Sequence, residues 1–224
     1  MKRLVKVLMV DDHQLIVEGY KNILLETQNE EFKIIFEEAN SCKTAYDKLQ
    51  ESLRTGNFFD LIFMDINLPE YTQKKIYSGE DLGLFAKMLS SETKLIFLTM
   101  HEDNYRLYNI VKNVNPEGLL IKSDVGSNEL VKAFQEVLDG KISYSHTVNT
   151  FIRKQITNDI ALDQLDRQII YYLSKGIQTK KLPERVPLSL AAIEKRKRNL
   201  KDLFGLEKEG DLVLIEKAKS MGFV

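Results

Sequence analysis

The sequence predicts an α/β fold, a doubly wound sheet of five parallel strands, followed by a small all-α domain of four helices. Two observations lead to this prediction. Short apolar runs alternate with amphipathic segments five times in the first 143 residues, and beyond residue 161 only helical periodicity remains. We therefore expect a first domain over residues 1–143, a linker over 144–160 and a second domain over 161–224.

The elements of the first domain follow from residue spacing. Each strand is a short run of β-branched, aromatic or aliphatic residues, and each helix has its apolar residues on one face. Ser41 is suited to cap the second helix, and Gly56 and Gly140 are suited to end two of the helices. The predicted strands cover 5–10, 32–36, 58–64, 94–99 and 118–121, and the helices cover 13–27, 41–56, 79–89, 101–111 and 127–138.

Polar residues end most of these strands. Right-handed crossovers place the C-terminal ends of parallel strands at one edge of the sheet, where ligands bind in open α/β folds. Asp65 ends the third apolar run, and a role in capping the following turn is its alternative. The same edge is expected to receive Asp11 and Asp12 after the first strand, Thr99 from the fourth and Lys122 after the fifth.

These residue types suit phosphoryl chemistry. Three crowded carboxylates repel one another unless a cation neutralises them, and oxygen ligands of this kind suit Mg²⁺. A carboxylate such as Asp65 beside Mg²⁺ can attack a phosphoryl group and form an aspartyl phosphate. The hydroxyl of Thr99 and the ammonium of Lys122 would then bind the phosphoryl oxygens.

Four segments resemble the signature blocks of two-component response-regulator receivers. They are VDDH at 10–13, MDINLP at 64–69, LTMH at 98–101 and LIKSD at 120–124, and the resemblance covers about residues 3–143. It implies a flavodoxin-like receiver whose phosphoacceptor, Asp65, takes its phosphoryl group from a histidine kinase. It further implies that Asp11, Asp12, Asp65 and the backbone carbonyl of Asn67 hold Mg²⁺, that Thr99 and Lys122 contact the phosphoryl group, and that Asn67 and His101 tune its lifetime.

Two features depart from the receiver pattern. The glycine that receivers carry eight residues after the phosphoacceptor corresponds here to Gly79, so the loop is longer by about six residues, roughly Tyr71–Ile76. Such a loop either tunes kinase docking or phosphate lifetime, or is a tolerated surface insertion. Leu119 stands where many receivers have an aromatic switch residue, and a leucine cannot repeat the motion of an aromatic ring coupled to Thr99.

Composition limits the protein's class. The chain has 224 residues, 43% of them hydrophobic and 29% charged, as in ordinary soluble proteins. Its single cysteine, Cys42, excludes an internal disulfide framework and a Cys-rich zinc site. No apolar run is long enough to span a membrane, and we expect a cytoplasmic protein. Residues 161–224 hold 13 basic and 9 acidic residues against 19 and 24 in the remainder, so the second domain is the more basic.

The second domain has the pattern of a helix-turn-helix protein. The first of its four predicted helices ends near Gly176. The other three cover residues 179–185, 190–204 and 209–221. The segment 175–205 resembles the LuxR/NarL-type DNA-binding pattern, in which a scaffold helix precedes a serine and the recognition helix. Leu190, Ile193, Leu200, Leu203 and Phe204 are expected to share the inward face of that helix.

The opposite face of the predicted recognition helix is basic. A basic helix of this kind can contact phosphates and base edges in the major groove, although a run of charge can also be an ordinary solvated face. Pro183 interrupts the expected scaffold helix, and Glu194 stands where the family often has a basic residue. The candidate DNA contacts are Lys195, Arg198 and Asn199, followed by Lys180, Lys181, Arg185, Ser189, Lys197 and Lys201.

Together these features predict a response regulator that a histidine kinase phosphorylates and that then binds duplex DNA as a homodimer. The first alternative keeps the receiver but makes the second domain a protein- or RNA-interaction module, as Pro183 and Glu194 suggest. The second is a Mg²⁺-dependent phosphohydrolase with an aspartyl intermediate, which would need a general acid–base near its nucleophile. We therefore expect that the protein is not an enzyme.

Overall fold

The protein contains two compact units. The computed structural model describes residues 3–28, 32–100, 103–156, 160, 162–206 and 209–224. The first unit comprises Met1–Glu102 and Asn109–Val148, and the second comprises Asp103–Tyr108 and Asn149–Val224. Within the described parts of the chain, none of the helices is long and apolar enough to cross a bilayer.

The first unit is built on a parallel sheet with strand order β2-β1-β3-β4-β5-β6. The doubly wound parallel sheet confirms the predicted fold class, with six strands in place of five. The added strand pairs only two residues with β5, which is too short to give a pattern in the sequence. The strands are β1 (Arg3–Val10), β2 (Phe32–Ala39), β3 (Leu61–Asp65), β4 (Lys94–Thr99), β5 (Gly118–Ile121) and β6 (Ser143–Tyr144).

Helices flank this sheet. α1 packs against α5, and α2 packs against α3. Ser41 caps α2 through a reciprocal pair of bonds with Thr44, and Gly56 ends α2 in the left-handed conformation, at φ 68°. The helices are α1 (Gln14–Leu25), α2 (Cys42–Thr55), α3 (Gly79–Leu89), α4 (Asn104–Asn109, continued by a π-helical turn over Ile110–Val114) and α5 (Ser127–Leu138).

The long loop after β3 closes on itself. Tyr71 and Ile76 exchange two backbone hydrogen bonds of 2.8 and 3.2 Å, and the intervening residues form a single 3₁₀ turn, Thr72–Lys74. The side chain of Ile76 is buried. The extra residues therefore form a small hairpin of their own, and the backbone N–H of Gly79 still donates to the carbonyl of Ile66 at 2.9 Å.

The second unit is helical and has its own apolar core. The buried side chains include Ile169 and Ile170, Ile193 and Leu200, and Leu214. The predicted second helix of this domain is a 3₁₀ helix, Thr179–Glu184, which contains Pro183. The remaining helices are α6 (His146–Ile156), α7 (Gln164–Ser174), α8 (Leu190–Leu203) and α9 (Asp211–Ser220).

Residues Asp103–Tyr108 contribute aromatic contacts to this second unit. Tyr105 stacks on Tyr171 with ring centroids 4.5 Å apart. The guanidinium of Arg167 lies 3.6 Å from the ring centroid of Tyr108, and its side chain is buried. Burial and the loss of water lower the pKa of Arg167. The tyrosine face offsets part of that cost because it attracts the cation.

An ion-pair cluster joins three elements of the second unit, and we call it the Asp211 cluster. It contains Thr179, Lys197, Lys201 and Asp211. The buried ammonium of Lys197 donates to Thr179 and to Asp211, both at 2.6 Å, and Lys201 lies 3.2 Å from Asp211. Burial acts to raise the pKa of Asp211, but the two lysines outweigh it and the pKa is lowered. The cluster therefore ties α8 to α9 and to the 3₁₀ helix.

We expect Gly79→Ala to destabilise the protein by about 1–3 kcal/mol. A Cβ atom at this position would lie 1.9 Å from the carbonyl oxygen of Asp65 and 3.1 Å from the Cα of Ile66, and both atoms belong to the backbone. Gly19→Ala is the matched control, because a Cβ there meets nothing within 4 Å. Urea unfolding of both variants measures the difference. Equal stability of Gly79→Ala and the wild-type protein would contradict the close approach.

We expect Asp211→Asn to destabilise the protein at pH 7 by about 1–3 kcal/mol, because the buried Lys197 ammonium loses its counter-charge. The lowered pKa of Asp211 means that its contribution is present above about pH 4 and is lost as the pH falls below that value. Thermal unfolding at several pH values measures this. A stability difference that persists undiminished below pH 3 would contradict the assignment.

Candidate functional site

Strand register brings the predicted site residues to one edge of the sheet. Val10 pairs with Met64, so the next residues, Asp11 and Asp65, lie at the same level. Asp65 in turn pairs with Leu98, one residue before Thr99. Thr99 pairs with Ile121, which places Lys122 immediately beyond the last strand pair. The edge predicted from the strand ends is therefore present in the structure.

Lys122 lies between two buried carboxylates. Its Nζ donates to Asp11 Oδ2 at 2.6 Å and to Asp65 Oδ2 at 2.8 Å. All three side chains are at most 7% exposed. Burial acts to lower the pKa of Lys122, but the hydrogen bonds to both carboxylates outweigh it and the pKa is raised. Lys122 is thus held as a cation at the centre of the edge.

The other oxygen of Asp65 is held by the backbone. Asp65 Oδ1 accepts from the N–H of Ile66 at 2.6 Å and from the N–H of Asn67 at 3.2 Å. The Asn67 side chain is exposed beside this turn. The carboxylate therefore has a fixed orientation, set by the first residues after β3 and by Lys122. These bonds are the turn-capping contacts that the sequence offered as an alternative, and they coexist with the pairing to Lys122.

Asp12 and His13 form the open side of the site. The imidazole Nδ1 of His13 lies 2.8 Å from Asp12 Oδ1 and 3.3 Å from Asp11 Oδ1, and both Asp12 and His13 are exposed. One ligand atom from each of Asp11, Asp12, His13 and Asp65 falls within a 4.8 Å cluster. Carboxylates in such a cluster, open to water on one side, fit a small hard cation. His13 belongs to the VDDH block, but it is not among the site residues predicted from the sequence.

A groove of about 440 Å³ opens beside the two acidic residues that follow the first strand. It is lined by Asp11 and Asp12 from the site, by Asn40 and Thr44 near the start of α2, and by Lys48. The groove therefore gives access to Asp11 and Asp12 from the side of β1 and β2. Tyr20 of α1, also absent from the sequence prediction, is half-buried near the site, and burial raises its pKa.

The remaining predicted receiver residues differ in how they are placed. Thr99 is fully buried at the end of β4. Leu119 is fully buried in β5, so the residue at the position of the aromatic switch is part of the sheet core. His101, the predicted rate-tuning residue, lies outside the described residues.

The outer surface of α8 carries the main candidates for DNA contact. Lys195, Arg198 and Asn199 are exposed there, together with Glu194. Ser189 caps α8, and its side chain accepts from the N–H of Ala192 at 3.3 Å. The lysines and arginine of the preceding segment, Lys180, Lys181 and Arg185, are also exposed.

Other basic residues of α8 face its neighbours. Lys197 and Lys201 belong to the Asp211 cluster, and Lys197 is only 7% exposed. Arg196 bridges Asp163 and Asp166 at 2.8 and 2.7 Å. The basic run therefore divides into inward and outward charges, and we do not keep Lys197 as a phosphate contact.

The inward face expected for α8 is partly wrong. Ile193, Leu200 and Phe204 are buried as predicted, but Leu190 is 43% and Leu203 49% exposed. These two leucines lie at the ends of the helix, where fewer neighbours cover them. The buried aliphatic part of Lys197 occupies some of the inward surface in their place. A helical wheel, which counts lysine as polar, does not predict this.

Comparisons with known proteins agree with this geometry. Residues 7–135 match the response regulator receiver domain family. The oxygen regulatory protein NreC of Staphylococcus haemolyticus is 25% identical over 225 residues, covering 93% of this chain and 94% of that protein. NreC of Staphylococcus epidermidis is 24% identical, with the same coverage.

Solved structures share the fold over nearly the whole chain. A structure described as two RcsB dimers bound to two parallel DNAs has a TM-score of 0.63 at 18% identity, covering 97% of this chain and 99% of that one. RcsB of Salmonella enterica serovar Typhimurium, bound to a promoter in the presence of phosphomimetic BeF₃⁻, has a TM-score of 0.60 at 18% identity and the same coverage. The receiver match extends over more than half of the sequence and includes Asp11, Asp65 and Lys122. The chain belongs to the response regulator receiver domain family.

Proposed function

We propose that a histidine kinase phosphorylates this chain on Asp65 and that phosphorylation controls duplex DNA binding by the helical unit. The observation that carries the first part is the buried triad of Asp11, Asp65 and Lys122, with Asp12 open beside it. A nucleophilic carboxylate, a fixed cation for phosphoryl oxygens and an open acidic side are the groups that phosphoryl transfer to an aspartate needs.

In this proposal a carboxylate oxygen of Asp65 attacks the phosphorus atom of a phosphohistidine. The new O–P bond replaces the P–N bond, and the leaving imidazole takes up a proton. Backbone N–H groups of Ile66 and Asn67 keep the carboxylate oriented during the attack. Lys122 then pairs with the phosphoryl oxygens, and Thr99, buried at the next strand end, supplies a hydroxyl group.

The same residues fit Mg²⁺. Asp11, Asp12 and Asp65, with the backbone carbonyl of Asn67, would hold the ion, which would neutralise the carboxylates and the incoming phosphoryl charge. Three carboxylates against one lysine leave an excess of two negative charges, which a divalent cation balances. Asn67 and His101 are retained as proposed tuning positions for the phosphate lifetime.

The helical unit is proposed to bind duplex DNA through the outer face of α8. RcsB, which has the same fold, is described in complexes with DNA, as dimers in one of them. Here Lys195, Arg198 and Asn199 are exposed on one helix that Ser189 caps. Lys180, Lys181 and Arg185 are proposed as weaker phosphate contacts, whereas Lys201, which pairs with Asp211, is not. A second copy of the chain would supply the second half-site.

We expect Asp65→Asn to abolish labelling by acetyl phosphate with Mg²⁺, because the variant has no carboxylate nucleophile. Asp139→Asn is the matched control, since Asp139 follows α5 and its exposed carboxylate pairs only loosely with Lys141, at 3.6 Å. Intact-mass measurement detects the added phosphoryl group. Stoichiometric labelling of Asp65→Asn would refute the phosphoacceptor assignment, and repeated turnover of excess acetyl phosphate by the wild-type protein would favour a phosphohydrolase.

We expect Lys195→Ala and Arg198→Ala each to weaken duplex binding by the phosphorylated full chain, roughly threefold to tenfold at moderate salt. Each change should also lower the slope of log affinity against log salt by about 1 if its side chain contacts phosphate. Lys219→Ala is the matched control, because Lys219 is an exposed basic residue on α9. Fluorescence anisotropy with promoter-length duplexes at several salt concentrations measures both quantities.

Two results would contradict the DNA proposal. One is the absence of salt-dependent duplex binding by the phosphorylated chain. The other is equal loss of affinity in the Lys219→Ala control, which would mean that α8 has no special role. Binding to single-stranded RNA in the same assay would instead support an RNA-interaction module.

A further inference from the structure

The segment directly after Lys122 is tied to the start of α6 by one carboxylate. Asp124 Oδ2 accepts from the hydroxyl of Ser145 at 2.8 Å and from the backbone N–H of Thr147 at 2.9 Å. Asp124 Oδ1 accepts from the hydroxyl of Thr147 at 3.0 Å. Since α6 begins at His146, these bonds satisfy groups of its first turn, where a negative charge is also favourable.

Asp124 is ionised in this position. Burial acts to raise its pKa, but hydrogen bonds from Thr147 and Ser145 outweigh it, so the pKa of Asp124 is lowered. Its partners come from a segment more than twenty residues away in sequence, so this cap is a tertiary contact.

Ser145 links the same cap to the sheet. Its N–H donates to the carbonyl of Leu119 at 3.1 Å, and its hydroxyl oxygen accepts from the N–H of Ile121 at 3.2 Å. Ser145 is therefore bonded to β5 on one side and to Asp124 on the other. A displacement of the end of β5 must stretch or break these bonds.

The turn between β5 and α5 joins the site to this cap. Lys122 and Asp124 are the two ends of one 3₁₀ turn. The side chain of Lys122 reaches Asp11 and Asp65, while that of Asp124 reaches the start of α6. Because only Ser123 separates Lys122 from Asp124, we expect a backbone movement at one end of the turn to reach the other.

We propose that Asp124 is a positioning residue that makes the order of the first turn of α6 depend on what Lys122 binds. The inference rests on the proposed phosphorylation of Asp65. When the carboxylates of Asp11 and Asp65 hold Lys122, the Asp124 cap is formed. When Lys122 turns to the oxygens of a phosphoryl group, the turn moves, Asp124 withdraws and the first turn of α6 loosens.

This route needs no aromatic side chain in β5. Leu119 occupies that position and is fully buried. Helix α6 begins in the first unit, and from Asn149 onward its residues belong to the second. The chain segment that the Asp124 cap orders is thus the one that leads into the helical unit.

Hydrogen exchange of the full chain, with and without Mg²⁺ and BeF₃⁻ as the phosphoryl mimic, tests the proposal. In the wild-type protein we expect the amides of Thr147 and Val148 to exchange roughly tenfold faster when the mimic is bound, as expected from losing a hydrogen bond to a charged group. Asp124→Asn should exchange fast in both conditions, so that its dependence on the mimic disappears. Its labelling by acetyl phosphate should remain.

Two further variants separate coupling from simple stability. Thr147→Val removes one of the three bonds and keeps the backbone N–H bond, so we expect it to reduce the dependence on BeF₃⁻ without abolishing it. It also serves if Asp124→Asn does not fold. Asp139→Asn makes the same charge change at an exposed residue and should keep the full wild-type dependence.

The outcomes distinguish this inference from the proposed function. If the wild-type protein is phosphorylated but exchange at Thr147 and Val148 is unchanged or slower with BeF₃⁻, the coupling is overturned and the phosphoacceptor assignment stands. The coupling is also overturned if BeF₃⁻ changes the exchange of these amides in Asp124→Asn as much as in the wild-type protein, since Asp124 is then not needed for it. If the wild-type protein neither takes phosphate from acetyl phosphate nor binds BeF₃⁻, both proposals fall.

Discussion

The ammonium group of Lys122 lies between the buried carboxylates of Asp11 and Asp65, and the C-terminal edge of the sheet depends on this arrangement. Without the lysine, two ionised carboxylates would lie close together away from water, which is strongly unfavourable. The pairing also joins the ends of β1, β3 and β5. The cation that follows β5 thus holds together the ends of β1 and β3, whose carboxylates would otherwise repel one another.

The same arrangement suits the exchange of partners that the proposed function requires at this edge. A buried ion pair contributes little net stability, because desolvation offsets most of its Coulomb attraction. It is therefore open to exchange of partners: a divalent cation can take over the carboxylates while the lysine follows a phosphoryl group. Asp12 and His13 remain exposed, so an ion reaches the site without unfolding the edge. In the proposed function, the contact that holds the resting edge together is consequently the one that phosphorylation replaces.

Much of this edge could be predicted from sequence, because its determinants are local. An apolar run that ends in a carboxylate, as at Asp65, fixes both a strand and the position of its charge. The delayed glycine predicts the long loop but not its hairpin, since the bonds between Tyr71 and Ile76 depend on a register that composition does not encode. The two-residue strand β6 was missed for the same reason: pairing with β5, and not periodicity, defines it.

The second unit was harder to predict because tertiary ion pairs decide which charges face outward. Four consecutive basic residues, 195–198, look equivalent in sequence. In the structure Asp163 and Asp166 hold Arg196, and Asp211 holds Lys197, while Lys195 and Arg198 remain on the surface. The net charge of this domain therefore overstates the charge available to a polyanion. Because the inward pairs also fix the orientation of α8, acidic residues outside that helix determine which of its basic residues are exposed for the proposed contact with DNA.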